Sequence, residues 1–567
     1  MSLSLPARVP ATRTPQPLSF IRFKHPPEWP LPTLVVLAAL WLASVGNTAL
    51  WRQLASLPEL ASPRGLLFGL GLGIWLTAVL TGVLSLLAGP RVFKPVAVVL
   101  LLTAACSTHF MLAFSTVIDP GMLLNVLHTD THEVADLLSP RLVFTVLGVG
   151  VLPAWWLWRQ PVRPAPWTRR LGHHTVLLVA ALGVAGLVLM LMFQDFASLM
   201  RNHKQVRYLI NPLNSVYALG RTAAHTVPSS QNPLRPVGTD AHLGPSYAGQ
   251  QQAPWLVLVV GETARAANFG LGGYARDTTP QLRALQAEGN LSYFTQVRSC
   301  GTHTQASVPC MFSHHGKEAH ESSDDRYENL LDVLQRAGLG VVWIDNQSGC
   351  KGVCDRVPSS ATRDLEDPKW CAQGECFDEA MLGDMQRQLA AMPPERKRQG
   401  VVVVLHQMGS HGPAYHRRTP PAFKAFTPEC TSNTLQDCTR EALVNTYDNS
   451  IRYTDHLLAR TVTWLKTQTA STALLYVSDH GESLGENNLY LHGLPYALAP
   501  VEQKHVPMLA WLSPAMQQRT GVQTRCLNGQ AQQPLTHDNL FHSVLGLMDV
   551  QTEAYQPKLD LFRACAR

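Results

Sequence analysis

The stretch Trp255-Leu-Val-Leu-Val-Val-Gly-Glu-Thr263 is a short apolar run that ends in a carboxylate. Such a run is typical of a strand that is buried on both faces of a parallel sheet. Three later runs end in the same way: Gly340 to Ile344 before Asp345 and Asn346, Val401 to Leu405 before His406 and His411, and Ala473 to Val477 before Asp479 and His480. Because ligands bind outside the carboxyl ends of the strands in open parallel sheets, these endings predict one site at one edge of an α/β domain.

A nucleophile for this site is offered by Thr304. It lies in a small-residue turn, Arg298-Ser-Cys-Gly-Thr-His-Thr-Gln-Ala-Ser-Val-Pro-Cys-Met-Phe-Ser313, between Cys300 and Cys310. A hydroxyl attacks phosphorus well only when its proton is removed or when a cation stabilises the alkoxide. A threonine nucleophile therefore needs metal ligands that the fold brings to it.

Glu262, Asp479 and His480 are oxygen and nitrogen donors of the kind that bind zinc. A catalytic zinc site keeps one position open, and Thr304 would fill or approach it. A strand-end Asp or Glu is by itself more often a helix cap or a solvated charge. The combination of the two strand ends with the threonine turn favours a metal-activated nucleophile.

The first 200 residues contain five apolar stretches, most of them near the bilayer-spanning length of about 20 residues. They run over residues 31–51, 65–89, 95–115, 142–158 and 173–193. Five such stretches with short polar connectors predict a five-helix transmembrane bundle rather than the buried helices of a soluble core.

The lysines and arginines predict the orientation of this bundle. Ten of them lie in the N-terminal tail and in the second and fourth connectors, whereas six lie on the other side. The tail, residues 1–30, is therefore expected in the cytoplasm. Five spans over residues 31–194 then place the rest of the chain on the opposite face.

Cysteine usage agrees with that orientation, because disulfides persist in oxidising compartments. Ten of the eleven cysteines lie after residue 299. Their close spacing favours five disulfides, although spacing alone does not establish the connectivity. The domain of residues 253–567 is thus expected outside the cytoplasm.

Residues 195–252 are polar and rich in Pro, Gly, Ser and Gln, with a short amphipathic piece over residues 211–224. Two interpretations remain open for this segment. It is a linker that lies along the membrane surface, or it is a flexible tether.

Several sequence motifs of this chain resemble those of one enzyme family. They are Val260-Gly-Glu-Thr-Ala-Arg-Ala-Ala-Asn-Phe269, Gly273-Tyr-Ala-Arg-Asp-Thr-Thr-Pro280, Ser299-Cys-Gly-Thr-His-Thr304, Ser307-Val-Pro-Cys-Met-Phe-Ser313, Gly409-Ser-His-Gly-Pro413, Asn445-Thr-Tyr-Asp-Asn449, Ser478-Asp-His-Gly-Glu-Ser-Leu-Gly-Glu486 and Leu489-Tyr-Leu-His-Gly493. With these blocks, in this order, the chain resembles the inner-membrane lipid A phosphoethanolamine transferases, which include the mobile colistin-resistance enzymes. The resemblance covers nearly the whole chain and implies a periplasmic domain with an alkaline-phosphatase/sulfatase-like fold.

The resemblance also implies roles for individual residues of the catalytic domain. Thr304 matches the nucleophile that becomes phosphoethanolaminylated, and Glu262, Asp479 and His480 match the remaining ligands of the catalytic zinc. His411 and His492 match histidines tied to substrate binding, to leaving-group protonation or to additional zinc. Ser348 and Lys351 match positions that contact the phosphoethanolamine group.

In the membrane part, Asn125, Thr129 and Glu133 match a polar trio near the lipid substrate. Their spacing of four and four puts all three on one face of a helix, and polar groups near a bilayer are costly unless they serve lipid or helix contacts. Without the resemblance, an interfacial helix cap would be the alternative.

Two positions of the catalytic domain depart from the pattern of the family that the chain resembles: His303 stands where a small residue is more common, and Gln347 where Asn is common.

The implied reaction transfers phosphoethanolamine from phosphatidylethanolamine through Thr304 to a phosphate of lipid A. Diacylglycerol leaves, and resistance to polymyxins and other cationic peptides follows. The enzyme is expected in the bacterial inner membrane, with neither a nucleic-acid partner nor an obligate protein partner. The net charge of +6 suits an anionic lipid surface but does not choose the acceptor.

Other functions remain as alternatives. Relatives with nearly the same catalytic residues act on core sugars or periplasmic glucans. A metal-dependent hydrolase of the same fold is a second possibility, although a sulfatase would need Cys-x-Pro-x-Arg where Cys310-Met-Phe-Ser stands. A non-catalytic receptor is disfavoured because all four proposed metal-site residues are present.

Overall fold

The computed structural model describes residues 28–566 except residues 88, 129–133, 136, 366 and 373–374, and it leaves out the side chains of residues 128, 204 and 224–231. Five of the described helices are long and apolar enough to cross a membrane. Spans 1 to 5 are Leu31–Ala55, Pro63–Ser85, Pro90–Phe114, Pro140–Arg159 and Trp167–Leu191. The predicted membrane bundle is therefore confirmed, with helix ends displaced by a few residues.

Span 1 is broken in its middle. Helices Leu31–Ala43 and Thr48–Ala55 are joined by a short 3₁₀ turn, Val45–Asn47. The buried amide of Asn47 donates to the carbonyls of Leu42 (2.7 Å) and Asn211 (2.6 Å), and its oxygen accepts from the backbone N–H of Asn211 (2.8 Å). This side chain satisfies backbone groups at the break and ties the segment after span 5 to the bundle.

Three further helices of the described residues belong neither to the spans nor to the catalytic domain: Pro120–His128 between spans 3 and 4, and Phe193–Asn202 and Leu213–Gln231 after span 5. The last of them contains most of the amphipathic piece expected from the sequence. Helix Pro120–His128 packs against both Leu213–Gln231 and helix Thr304–Met311 of the catalytic domain. The membrane part thus reaches the turn that carries Thr304.

The catalytic domain is built on a seven-stranded sheet. Its strands in chain order are β1 Pro254–Gly261, β2 Leu291–Phe294, β3 Gly340–Asp345, β4 Ser359–Ala361, β5 Val401–His406, β6 Ser471–Ser478 and β7 Met508–Leu512. They lie in the order β2-β7-β6-β1-β5-β3-β4. Strands β1, β3, β4, β5 and β6 run parallel, whereas β7 is antiparallel to both of its neighbours.

The central strands are apolar and β-branched because helices cover both faces of the sheet. Alternate residues of β1 enter opposite cores: Leu256 and Leu258 pack on one face, whereas Val257 and Val259 pack on the other. The helices of this domain are Pro280–Ala287, Thr304–Met311, Lys317–Ser322, Leu330–Arg336, Ala380–Ala391, Pro394–Gln399, Arg440–Lys466, Pro514–Thr520, Thr524–Gly529 and Asp538–Leu547.

Five disulfides lie in the described catalytic domain, as the cysteine spacing favours. They join Cys300 to Cys310, Cys350 to Cys354, Cys371 to Cys376, Cys430 to Cys438, and Cys526 to Cys565. The first closes the turn around Thr304, and the second closes the loop that carries Lys351.

Candidate active site

The four predicted strand endings meet at one edge of the sheet. In the parallel register, Gly261 of β1 pairs with Ser478 of β6, so the residues that follow them, Glu262 and Asp479, become neighbours. On the other side, His406 of β5 pairs with Val260. Donor atoms of Glu262, Asp479 and His480 lie within 4.8 Å of one another, and all three side chains are fully buried.

Thr304 joins this cluster as the first residue of helix Thr304–Met311. Its hydroxyl lies 3.1 Å from Glu262 Oε2 and 3.4 Å from His480 Nε2. A helix N-terminus carries partial positive charge, which favours an anionic phosphoryl group at that position. The structure therefore brings together the nucleophile and the three ligands that the sequence predicts.

Thr263, whose backbone is strained, contacts both carboxylates of this cluster. This residue has φ of +60°, which is unfavourable for a β-branched side chain. Its N–H donates to Asp479 Oδ1 (3.1 Å), its hydroxyl donates to Glu262 Oε1 (2.6 Å), and its carbonyl accepts from the Tyr447 hydroxyl (2.7 Å). Those contacts offset the strain and orient both carboxylates.

The electrostatics of the cluster favour a bound cation. Burial raises the pKa of Asp479, and the negative charge of Glu262 raises it further. Burial would lower the pKa of His480, but the carboxylates of Asp479 and Glu262 outweigh it and raise that pKa to about 10. The environment is thus one in which positive charge is stabilised.

A divalent metal ion fits this donor set. Asp479 Oδ2 is buried and has no hydrogen-bond partner among the described residues, although it lies 3.3 Å from His480 Nε2. Two carboxylates, one imidazole nitrogen and the Thr304 hydroxyl make four donors of the kind that a tetrahedral zinc site uses. The arrangement can hold a cation beside a hydroxyl nucleophile, which is the geometry that phosphoryl or sulfuryl transfer requires.

His411 and His492 lie next to the cluster. The His492 ring is centred 4.3 Å from the ring of His480 and 5.7 Å from that of His411. His492 Nδ1 lies 3.4 Å from Glu482, which is fully buried and accepts a hydrogen bond from the Tyr415 hydroxyl (2.8 Å). Burial raises the pKa of Glu482 to about 8.

Sequence reasoning assigned no role to Glu482 and treated His406 only as a strand ending. His406 is fully buried, with Nδ1 3.0 Å from Asp345 Oδ2 and Nε2 3.9 Å from Glu262 Oε2. Asp345 also accepts from the indole N–H of Trp343 (2.9 Å). The sequence could have predicted this contact, because both apolar runs end in a polar residue. Paired ends of neighbouring parallel strands place His406 beside Asp345.

Ser348 and Lys351 contact each other in the loop after β3. Lys351 Nζ donates to the hydroxyl of Ser348 (2.8 Å) and to its carbonyl (3.1 Å). Lys351 has φ of +52°, and the N–H of Gly349 donates to Asp345 Oδ1 (3.0 Å). The loop thus presents an ammonium group at the same edge of the sheet as Glu262.

Of the polar trio in the membrane part, Asn125 lies half-buried on helix Pro120–His128, which packs on the helix of Thr304. Thr129 and Glu133 lie outside the described residues. His303 is buried beneath this helix: a Cβ on Gly121 would lie 3.2 Å from its Nε2. Burial lowers the pKa of His303 to about 3, so it stays neutral.

The fold and site together define a membrane-anchored enzyme with a sulfatase-like catalytic domain. The Sulfatase family model matches residues 254–550, and the family described as Phosphoethanolamine transferase EptA/EptB matches residues 76–227. Phosphoethanolamine transferase EptA of Escherichia coli (strain K12) is 40% identical over 539 residues, which cover 94% of this chain and 96% of the relative.

Two other relatives agree. Phosphatidylethanolamine transferase Mcr-1 of Escherichia coli is 35% identical over 541 residues, covering 94% of this chain and 97% of the relative. The solved structure of the integral membrane protein lipooligosaccharide phosphoethanolamine transferase A (EptA) from Neisseria meningitidis matches with a TM-score of 0.90 and 36% identity, covering 95% of this chain and all of that one. The chain belongs to the EptA family of phosphoethanolamine transferases, so the predicted resemblance and fold class are confirmed.

Proposed function

We propose that this enzyme transfers phosphoethanolamine from phosphatidylethanolamine to a phosphate of lipid A, at the periplasmic face of the bacterial inner membrane. The observation that carries the proposal is the Thr304 hydroxyl, 3.1 Å from Glu262 and 3.4 Å from His480, on a helix that packs against the membrane part. A nucleophile in this position is close to lipids, which serve as both donor and acceptor.

The metal that fits best is zinc, held by Glu262, Thr304, Asp479 and His480. When bound, it supplies positive charge that lowers the pKa of the threonine hydroxyl and offsets charge on the phosphoryl group. The buried site excludes water from the reacting atoms, which strengthens these electrostatic interactions and limits hydrolysis.

The reaction proceeds in two displacements. The Thr304 oxygen forms a bond to the phosphorus of phosphatidylethanolamine, and the bond from phosphorus to the diacylglycerol oxygen breaks. The hydroxyl proton is taken up at the site, and the diacylglycerol oxygen gains a proton as it leaves. A phosphate oxygen of lipid A then attacks the same phosphorus, and Thr304 is released.

His411, His492, Ser348 and Lys351 serve the substrate in this proposal. His492 lies beside His480 and is oriented by Glu482, so it is placed to give or take the proton together with His411. The Lys351 ammonium neutralises the phosphodiester, and Ser348 orients that ammonium. Asn125, Thr129 and Glu133 contact the lipid on the membrane side.

We propose the domain boundaries that the sequence predicts. Residues 1–30 are the cytoplasmic tail, 31–194 the transmembrane bundle, 195–252 the linker with its membrane-surface helix, and 253–567 the periplasmic catalytic domain.

A lipid A phosphate that carries phosphoethanolamine gains an ammonium group, which weakens binding of colistin and other cationic peptides. Resistance is therefore the expected physiological consequence.

Mass spectrometry of lipid A from a polymyxin-sensitive Gram-negative host tests this function. Expression of the chain should add phosphoethanolamine, Thr304→Ala should abolish the addition, and Thr302→Ala is the control in the same turn. Thr302 donates only to the Leu494 carbonyl (2.7 Å) among the described contacts, so its variant should keep most of the activity. If lipid A stays unmodified while core sugars or glucans gain phosphoethanolamine, the acceptor is one of these and not lipid A. Release of free phosphoethanolamine would indicate a hydrolase.

A further inference from the structure

A long apolar groove runs along the membrane bundle, apart from the catalytic site. It has a volume of about 960 Å³ and lies between spans 1, 2 and 5. Leu54 of span 1 and Val184 of span 5 form parts of its walls. Gly65, Gly69 and Gly73 of span 2 line it at intervals of four residues and therefore lie on one face of that helix.

A polar pocket adjoins the groove at the end of the bundle that carries the catalytic domain. This pocket has a volume of about 130 Å³, and Leu60 and Gly65 line both cavities. Arg64 pairs with Asp195 across it (3.1 Å), and this pair stands near the membrane surface because Arg64 begins span 2 and Asp195 follows span 5.

A second polar contact lies in the same pocket. His203 Nε2 is 3.5 Å from Glu59 Oε1, and both residues line the pocket together with Arg64 and Asp195. Groups of both signs are therefore set around a small cavity that shares Leu60 and Gly65 with the apolar groove. Such a combination of an extended apolar wall with a few converging polar groups is typical of a ligand site.

Within a bilayer, lipid acyl chains are the molecules available to fill an apolar groove between spans. A zwitterionic headgroup matches the mouth, because its phosphate can approach Arg64 and its ammonium can approach Glu59 and Asp195. We propose that this groove binds one ethanolamine glycerophospholipid of the outer leaflet, as a site distinct from the active site. The helix that contacts the catalytic turn follows span 3, whereas the groove uses spans 1, 2 and 5.

This lipid would be retained beside the catalytic domain in the leaflet from which the donor is drawn. The binding itself does not depend on turnover, and it can be measured with Thr304→Ala protein. Failure of the proposed transferase function and failure of this site are therefore separate outcomes.

Photolabelling locates the site. The full-length Thr304→Ala protein is reconstituted in phosphatidylglycerol nanodiscs with phosphatidylethanolamine that carries a photoreactive group on its acyl chain, and labelled peptides are mapped. Labels are expected in spans 1, 2 and 5 at residues that line the groove. Unlabelled phosphatidylethanolamine should compete at least about tenfold better than phosphatidylglycerol.

A matched pair of substitutions tests the groove itself. Gly69→Leu places a side chain in the groove and should reduce this labelling by about tenfold or more. Gly186→Leu on span 5 is the control, since among the described residues no atom lies within 4 Å of a Cβ there and Gly186 does not line the groove. If Gly69→Leu fails to fold, Arg64→Gln tests the headgroup pocket and should weaken competition by phosphatidylethanolamine.

Two results would overturn the proposal. The first is labelling of the lining residues that is the same in Gly69→Leu and Gly186→Leu proteins. The second is equal competition by phosphatidylethanolamine and phosphatidylglycerol, because the groove would then hold any annular lipid without recognising its headgroup.

Discussion

Two buried carboxylate groups at the same sheet edge have opposite surroundings. Asp378 is almost fully buried and accepts four N–H hydrogen bonds, whereas Asp479 leaves Oδ2 without a partner among the described residues and lies beside Glu262. The four donors to Asp378 belong to Asn346, Gln407, Met408 and Gly409, at 2.7 to 3.2 Å. A buried carboxylate that is fully hydrogen-bonded is structural, whereas one that faces a second carboxylate needs a cation.

The largest expected effect follows from removal of the metal that we propose beside Asp479. Treatment of the full-length protein with a chelator is expected to lower transfer by at least about a thousandfold, because the Thr304 hydroxyl loses the charge that activates it. Zinc should restore transfer, which is followed by mass spectrometry of lipid A in proteoliposomes. Unchanged activity in demonstrably metal-free protein would refute the metal site.

Paired substitutions sharpen the contrast. Asp479→Asn should abolish metal binding yet raise the melting temperature of the metal-free protein, since it removes the repulsion with buried Glu262. Asp378→Asn should lower stability by roughly 1–3 kcal/mol, because the new amide NH2 group would face the two N–H donors of the oxygen that it replaces, while leaving the metal content unchanged. Metal analysis and thermal unfolding decide both points, and equal loss of metal in the two variants would contradict the distinction.

A smaller effect is expected at His406, which stands between Asp345 and Glu262. His406→Asn should weaken metal affinity by about 10–100-fold, because its buried imidazole lies 3.9 Å from the Glu262 carboxylate and 3.0 Å from Asp345. His456→Asn on helix Arg440–Lys466 is the control; His456 Nε2 lies 3.3 Å from Glu379, away from the cluster. A competition titration with a chromogenic chelator measures the affinities, and equal values for the two variants would remove His406 from the site.

The smallest effect concerns a third buried carboxylate, Asp455, which accepts from the N–H groups of Gln281 (3.1 Å) and Leu282 (2.8 Å). Burial raises its pKa from 3.8 to about 6. Because the folded state holds this proton more tightly than the unfolded state, its contribution to stability falls as pH rises from about 4 to about 6 and then levels off.

Asp455→Asn should therefore flatten the pH dependence of the free energy of unfolding in that window, by an amount on the order of 1–3 kcal/mol. Urea unfolding of both proteins between pH 4 and pH 8 measures the difference. Parallel stability profiles would show that Asp455 has an ordinary pKa.

Much of the architecture was predictable because the deciding patterns are local. The four apolar runs became β1, β3, β5 and β6, each extended by one to three residues, and all five spans were found. Strands β2, β4 and β7 were missed. They complete the edges of the sheet. Strand β4 is only three residues long, which is too short to show an alternation of apolar and polar residues.

The sequence by itself determined the class of the protein: apolar length specifies the spans, and the Cys-bracketed Thr304 turn with its strand-end carboxylates and histidine predicts the chemistry. Tertiary structure alone decided that His406 lies between Asp345 and Glu262, that Glu482 orients His492, and that spans 1, 2 and 5 leave a groove open. Hydrophobic periodicity and motif spacing are properties of neighbouring residues in the chain. Which buried atoms lack a partner depends instead on the packing of elements that are distant in sequence.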